Sequence, residues 1–108
     1  MDQLIDLTQI VRQEINRYHH VEAWKSQSFL LTDAAQQVFA VIDLPDADHP
    51  LVQRAGIVVM ARIVSGKVII DEDATDRPLY RYLMEAGIPR EQIILAYAGE
   101  SHSAEPAS

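Results

Sequence analysis

The sequence predicts a single α+β domain with a mainly antiparallel sheet, in the order α-β-β-β-β-α-β. Two observations lead to this prediction. Apolar residues recur every three or four positions near the start of the chain and again near residue 80, as they do in amphipathic helices. Between these segments, and once after them, short runs of branched and aromatic residues alternate with turn-forming residues, which is typical of strands. A chain of 108 residues holds one core of this kind.

The first helix is predicted over residues 3–19. One stripe of this segment is apolar, and it consists of Leu4, Leu7, Val11, Ile15 and Tyr18. Four charged residues lie off the stripe: Asp6, Arg12, Glu14 and Arg17. Asp2 precedes the helix and is the predicted N-cap, because its carboxylate can accept hydrogen bonds from free N–H groups of the first turn.

The next four elements are predicted strands. They cover residues 27–32, 37–44, 54–64 and 67–71. The four residues "DAAQ" between the first two strands suit a hairpin, and Ser65-Gly66 between the last two suits a two-residue turn. The third strand is apolar at nearly every position, which predicts a central place in the sheet with both faces buried.

The last unit is a helix followed by a strand. The helix "RPLYRYLMEA" is expected to end at Gly87-Ile88-Pro89, because Gly87 can take the left-handed conformation and Pro89 cannot continue a helix. The strand "EQIILAYA" follows at residues 91–98. We therefore place the folded domain at residues 1–98 and a flexible polar tail at residues 99–108.

The charge of the chain favours a protein partner over nucleic acid. The net charge is −7, from 16 acidic and 9 basic residues, and removing residues 99–108 still leaves 14 against 9. The sequence has no basic run that would neutralise phosphates or bind an anionic membrane. The absence of cysteine and of an N-terminal signal pattern fits a cytoplasmic protein. Self-assembly into a homo-oligomer stays open.

Four carboxylates stand close together at Asp71, Glu72, Asp73 and Asp76. Such clusters hold Mg²⁺ in enzymes, but they also cap helices. Since the second helix begins just after them, we expect Asp73, Thr75 and Asp76 to be helix-capping residues. The alternative is a small metal-dependent enzyme that uses Asp71 and Asp73, with Asp46 or Asp48 from the acidic loop after the second strand.

No other pattern predicts catalysis or a cofactor. His19 and His20 are adjacent and point in different directions on a helix, so they cannot share a metal ion. The sequence contains no nucleophile elbow, phosphate loop or dinucleotide fingerprint. We therefore expect no enzyme activity, no metal and no cofactor.

The second helix also suggests an interaction surface. Its core-facing stripe is predicted to be Leu79, Tyr82, Leu83 and Ala86. A second side of the helix then carries Arg77, Tyr80, Arg81 and Met84, whose residue types are enriched at protein interfaces. The competing interpretation is that Tyr80 and Met84 complete a broad core stripe.

The segment "GKVIIDEDATDRPLYRYLMEAGIPREQIILAYAGE" resembles the XisI family, the fdxN element excision controlling factors of cyanobacteria. The resemblance lies in the Gly66-Lys67 turn, the acidic turn ending in Thr75-Asp76, the helix end Ala86–Pro89 and the strand Ile93–Tyr97. It extends more weakly to the first helix and to "FLLTD", which ends at Asp33. The chain departs from many members at Ile69, where they have an aromatic residue, and at "VIDLP", where they carry Gly-Trp.

The resemblance implies a small α+β protein that takes part in a programmed DNA rearrangement in differentiating cells. It further implies a partner, the nuclease-like factor XisH, together with a separate recombinase. The family has no established catalytic residues, so the resemblance assigns none to this chain. A regulatory protein that binds a DNA-processing partner is thus the first hypothesis, the metal-dependent enzyme is the second, and direct DNA binding is a weaker third.

Overall fold

Five strands form one sheet in the computed structural model, which describes residues 6–19, 26–45 and 56–101. The strands are β1 (Ser26–Asp33), β2 (Val38–Pro45), β3 (Gly56–Val64), β4 (Lys67–Asp73) and β5 (Ile93–Leu95). Their spatial order follows the chain, β1-β2-β3-β4-β5. The first three pairings are antiparallel and the β4–β5 pairing is parallel. The α+β class, the element order and the mainly antiparallel sheet are as predicted.

Two α-helices pack on one face of this sheet. They are α1 (Leu7–Ile15), which continues as a 3₁₀ turn over Asn16–Tyr18, and α2 (Leu79–Glu85). Two further 3₁₀ turns, Arg90–Gln92 and Ala96–Ala98, flank β5. None of the helices in the described part of the chain is long and apolar enough to span a lipid bilayer.

The start of α1 differs from the prediction. The helix begins at Leu7, and the Asp6 carboxylate accepts a hydrogen bond of 3.1 Å from the Gln9 backbone N–H. Asp6 is therefore the N-cap of the described helix, whereas the predicted cap Asp2 lies outside the described residues. Since the cap fixes where intrahelical hydrogen bonding begins, Asp6 accounts for the later start.

The core lies between the helices and the sheet. Its fully buried members include Val11 and Ile15 from α1, and Leu79 and Leu83 from α2. The sheet contributes Phe39, Val41, Val59, Ala61, Ile63, Val68, Ile70, Ile93 and Leu95. Of the predicted stripe of α2, Tyr82 is only half-buried and Ala86 is exposed, because the helix ends before its third turn.

The turns between strands follow the predicted chemistry with small shifts. Ser65 and Gly66 both have positive φ, +52° and +78°, as a two-residue hairpin turn requires. The β1–β2 turn covers residues 34–37 and lies one residue later than predicted. Gln37 closes this turn with φ +54°, and the Asp33 carboxylate accepts from the Gln36 N–H at 3.2 Å.

Strand β3 is central, as predicted, but it is not buried on both faces. Its residues alternate: Val59, Ala61 and Ile63 are buried on the helix side, while Met60 and Arg62 are half-buried on the other. The helices cover only one side of the sheet, so an apolar sequence does not by itself produce burial on both. The last strand is also shorter than predicted, with three residues between the two 3₁₀ turns.

Candidate functional site

A cleft opens on the helix side of the sheet, where the end of α1 meets the turn between β4 and α2. Its cavity has a volume of about 650 Å³, within the range of ligand and side-chain pockets. The wall is mixed in chemistry, with two arginines, two tyrosines, two aspartates, a threonine and a valine. These residues are Arg17, Tyr18, Asp43, Val58, Thr75, Asp76, Arg77 and Tyr82.

Asp73 organises the turn that forms one side of the cleft. One carboxylate oxygen accepts from the Thr75 N–H at 3.0 Å and from the Thr75 hydroxyl at 2.6 Å. The other oxygen accepts from the Leu79 backbone N–H at 2.8 Å, and so satisfies a free donor of the first turn of α2. The Thr75 hydroxyl also lies 2.9 Å from the Arg77 carbonyl oxygen. These bonds hold residues 73–79 as a compact turn.

The remaining predicted capping residues occupy other places. The helix begins at Leu79 rather than near Arg77, with Pro78 at the N-cap position and no side-chain bond from Pro78 itself. Thr75 therefore contacts Asp73 and the turn, not the free N–H groups of the helix. Asp76 is exposed on the rim of the cleft. Proline shortens the helix at its start, because the residue before it is disfavoured in helical conformation.

The acidic cluster is divided between the two faces of the sheet. The β3–β4 register shifts between Met60 and Ala61, so Asp71 is an extra residue in β4. Asp71 binds Arg62 on the face away from the helices, with N···O distances of 2.6 and 3.1 Å. Asp73 binds the start of α2 on the opposite face.

The structure therefore does not bring Asp71 and Asp73 together. Within residues 6–19, 26–45 and 56–101, we find no group of three or more side chains placed to hold a metal ion. The other predicted acidic ligands, Asp46 and Asp48, lie outside those ranges.

Two tyrosines form the inner wall of the cleft. The rings of Tyr18 and Tyr82 pack edge to face, with centroids 6.1 Å apart at an angle of 72°. The Tyr18 hydroxyl donates a hydrogen bond to the Arg77 carbonyl oxygen. Burial, followed by the negative charge of Asp73, raises the pKa of Tyr18 above its usual value of 10.0, so this hydroxyl stays a donor at neutral pH.

Arg17 covers the tyrosine wall from the solvent side. Its guanidinium carbon lies 4.5 Å from the centroid of the Tyr82 ring, a cation–π distance. The same guanidinium pairs with Glu14 at 2.5 Å. Glu14 is only 7% exposed, contrary to its predicted place off the buried stripe, and its charge is paired with that of Arg17. The i, i+3 spacing of Glu14 and Arg17 on a helix predicts this pair, whereas no local sequence pattern predicts the contact with Tyr82.

One acceptor in the cleft has no donor. The Oδ1 atom of Asp43 is buried and accepts no hydrogen bond in the described part of the chain. A buried acceptor in this state costs about 1–3 kcal/mol. The structure places Asp43 on the cleft wall, which it shares with Tyr18 and Arg77.

The four predicted interaction residues lie along α2, beside the cleft. Arg77, Arg81 and Met84 are exposed, Met84 to 42%. Tyr80 is half-buried against the core, and the Arg90 guanidinium lies 5.5 Å from its ring centroid. A hydrogen bond with the Tyr80 side chain raises the pKa of the Arg81 guanidinium. A groove of about 220 Å³ continues from the cleft along this side, past Pro78, Arg81 and Glu85.

His19 is not among the residues that line the cleft. Nε2 of His19 lies 3.0 Å from the Ser28 carbonyl oxygen, and because a carbonyl can only accept, the ring donates. This bond ties the end of α1 to β1. His20, the other member of the pair, lies outside the described residues.

The cleft thus combines a rim of mixed charge, aromatic walls and a buried carboxylate acceptor. This arrangement suits the recognition of an exposed side chain or peptide segment, in which aromatic rings provide contact area and charged groups provide orientation. The residues in it are anchored to each other by hydrogen bonds and ring contacts, so the surface is formed before a partner arrives.

Three comparisons place the chain among known proteins. The family model described as "XisI protein" matches residues 1–104. A XisI-like protein from Anabaena variabilis has a similar solved structure, with a TM-score of 0.74, 22% identity and coverage of 86% of this chain and 85% of that one. The fdxN element excision controlling factor XisI from the same organism also has a similar structure, with a TM-score of 0.59 and 19% identity. The match covers 84% of this chain and 85% of that one. The search of curated proteins gives no significant match.

The two solved structures share the fold with this protein, and the family match extends over nearly all of the chain, including both helices and all five strands. The chain belongs to the XisI family.

Proposed function

We propose that this protein is an accessory factor controlling the excision of a DNA element, and that it acts by binding a nuclease-like companion of the XisH type. The family supports the first part, since a structurally similar member is described as an excision controlling factor. In this proposal the protein performs no chemical step. It controls the companion through contact alone.

The exposed side of α2 is the observation that carries the binding part of the proposal. Arg81 and Met84 stand exposed one turn apart, and the exposed Arg77 lies two residues before the helix. Arginine and methionine are both enriched at interfaces. Arginine forms directional hydrogen bonds, and methionine is a flexible apolar side chain that adapts to its partner. Beside them the cleft supplies aromatic walls and a buried acceptor. One continuous surface therefore offers both a rim and a pocket to a partner.

The charge of the protein suits a partner that itself handles DNA. A protein with basic DNA-binding surface is attracted to a chain of net charge −7, and complementary charge speeds association. Arg77 and Arg81 then contact acidic or polar groups of the companion locally, while the overall attraction is set by the rest of the molecule. This division favours protein contact over direct binding of DNA.

The test is co-purification with an XisH-type companion, followed by titration calorimetry. We expect a stoichiometric complex, weakened about tenfold or more in the double variant Arg81→Glu, Met84→Ala. Tyr80 is kept intact in this design, because it packs against the core and its loss would destabilise the fold.

The matched control is Arg12→Glu, which reverses the charge of another exposed helical arginine, on α1. It should leave the affinity within about twofold. Full affinity in a folded α2 variant would show that the companion binds elsewhere. Absence of any complex with the wild-type protein would contradict the proposal as a whole.

A further inference from the structure

The sheet has a second face, which the described helices do not cover. We call it the outer face, and it is the side of the sheet away from α1 and α2. The strand register and the alternation of side chains assign residues to it. On β1–β3 most of its described members are apolar: Phe29, Leu31, Val38, Ala40, Ile42, Leu44, Ile57 and Met60.

Exposed apolar side chains concentrate on this face. Within the described residues, seven large hydrophobic side chains are exposed, and five of them lie here. Their exposed fractions are 42% for Phe29, 49% for Leu31, 44% for Leu44, 43% for Ile57 and 40% for Val64. The other two, Met84 and Tyr97, lie on separate elements. The face is therefore a patch and not a scatter of single residues.

The charge of the outer face is close to balanced. Its charged members on the described strands are Asp33, Arg62, Lys67, Asp71 and Glu72, three acids against two bases. Arg62 and Asp71 neutralise each other in a 2.6 Å pair. The face thus carries −1 of the total of −7. Two copies of an acidic protein repel each other over most of their surfaces, but not here.

The area of the patch fits a dimer. The five exposed side chains present on the order of 400 Å² of apolar surface. A standard interface buries about 800 Å² per partner, somewhat more than half of it apolar, which is close to the same amount. A strongly charged partner would gain little from this face, because it offers such a partner no opposite field.

We infer that the outer face is the interface of a homodimer, in which β1–β3 of one copy pack face to face on β1–β3 of a second copy. A two-fold axis places apolar side chains against apolar side chains, since the same patch is used by both copies. The arrangement is a sheet-on-sheet packing with the helices on the outside. It leaves the cleft and the α2 surface of each copy free for a companion.

The first experiment is sedimentation equilibrium of the full chain across a range of concentrations. We expect a dimer, with twice the chain mass of 12.1 kDa, that dissociates into monomers on dilution. Leu31→Glu should raise the dissociation constant by at least about thirtyfold, because it places an unpaired charge among the apolar side chains that the dimer buries. Met84→Glu is the matched control, with a similarly exposed residue on the other side of the molecule, and should leave the dimer unchanged.

A measurement on the wild-type protein removes any dependence on the folding of a variant. Hydroxyl-radical footprinting at low and high concentration should show Phe29 and Leu31 protected at high concentration while Met84 remains reactive. A monomeric wild-type protein at about 100 μM would overturn the inference, as would a folded Leu31→Glu variant that still dimerises. Protection at Met84 in place of Phe29 would move the interface to α2.

Discussion

Asp73 caps α2 through hydrogen bonds that the neighbouring sequence does not specify. Both of its carboxylate oxygens accept hydrogen bonds, one from Thr75 and the other from the Leu79 N–H. The bond to Leu79 spans six residues, so Asp73 caps α2 from the end of β4 and not from the position before the helix. It links the strand to the helix that forms the candidate interaction surface.

Replacing Asp73 with alanine should destabilise the protein by about 1–2 kcal/mol, because the cap and the Thr75 contacts are lost together. Urea unfolding followed by circular dichroism measures this loss. Asp76→Ala is the control, since Asp76 is exposed and accepts no hydrogen bond in the described part of the chain. Its effect should stay within about 0.5 kcal/mol. Equal losses in both variants would show that the helix start does not depend on Asp73.

The sequence predicts a cap in this region, but not how the acidic residues are divided. That division depends on the bulge that makes Asp71 an extra residue, and the bulge arises from pairing with β3. Alternation alone would place Asp71 and Asp73 on the same face. Similarly, the contact of Arg17 with Tyr82 joins residues 65 positions apart in the chain, so no local pattern indicates it.

At the scale of elements, the end of α2 follows the prediction closely. Gly87 has φ +113°, and its N–H donates to the Met84 carbonyl at 3.0 Å. The Ile88 N–H donates to the Leu83 carbonyl at 3.0 Å, and the Ile88 side chain is buried. These two bonds form the Schellman motif that Gly-Ile-Pro predicts. Strand lengths are predicted less well, because they depend on which neighbours are available to pair with.

Gly87→Ala should destabilise the protein by roughly 1 kcal/mol or more, because a Cβ at this φ is strained even though the space around it is open. Differential scanning calorimetry measures the lowered Tm. Gly56→Ala provides the comparison, since Gly56 has no positive φ and no atom within 4 Å of an added Cβ. That variant should be neutral or slightly more stable. A neutral Gly87→Ala would mean that the helix end rearranges without cost.

For the whole molecule, the fold class and element order are predictable because hydrophobic periodicity and turn residues act locally. Local patterns do not predict three other features, which depend on how the elements pack together. These are the position of both helices on one face, the parallel β4–β5 pairing and the exposed outer face. Tyr18 is part of this assembly. It belongs to the predicted stripe of α1, yet its hydroxyl donates to the Arg77 carbonyl, 59 residues away, and its ring contacts Tyr82.

Tyr18→Phe should therefore test how firmly the two ends of the chain are joined. At neutral pH we expect a loss of about 1 kcal/mol in urea unfolding, from the loss of one partly buried hydrogen bond. Tyr97→Phe is the control, because the Tyr97 side chain is 38% exposed and its hydroxyl donates no hydrogen bond in the described part of the chain. It should have little effect.

The Tyr18→Phe variant also gives a pH dependence with a definite sign. The pKa of Tyr18 in the folded protein is raised above 10.0, chiefly by burial, so its contribution is complete below pH 10. Above that pH the unfolded chain releases the phenolic proton first, and the folded state loses stability. The advantage of wild type over Tyr18→Phe should consequently shrink as the pH rises from about 10 to about 11, just above the ordinary tyrosine pKa. A constant difference across that range would show that the Tyr18 hydroxyl ionises equally easily in both states, and that α1 is not joined to the α2 turn through it.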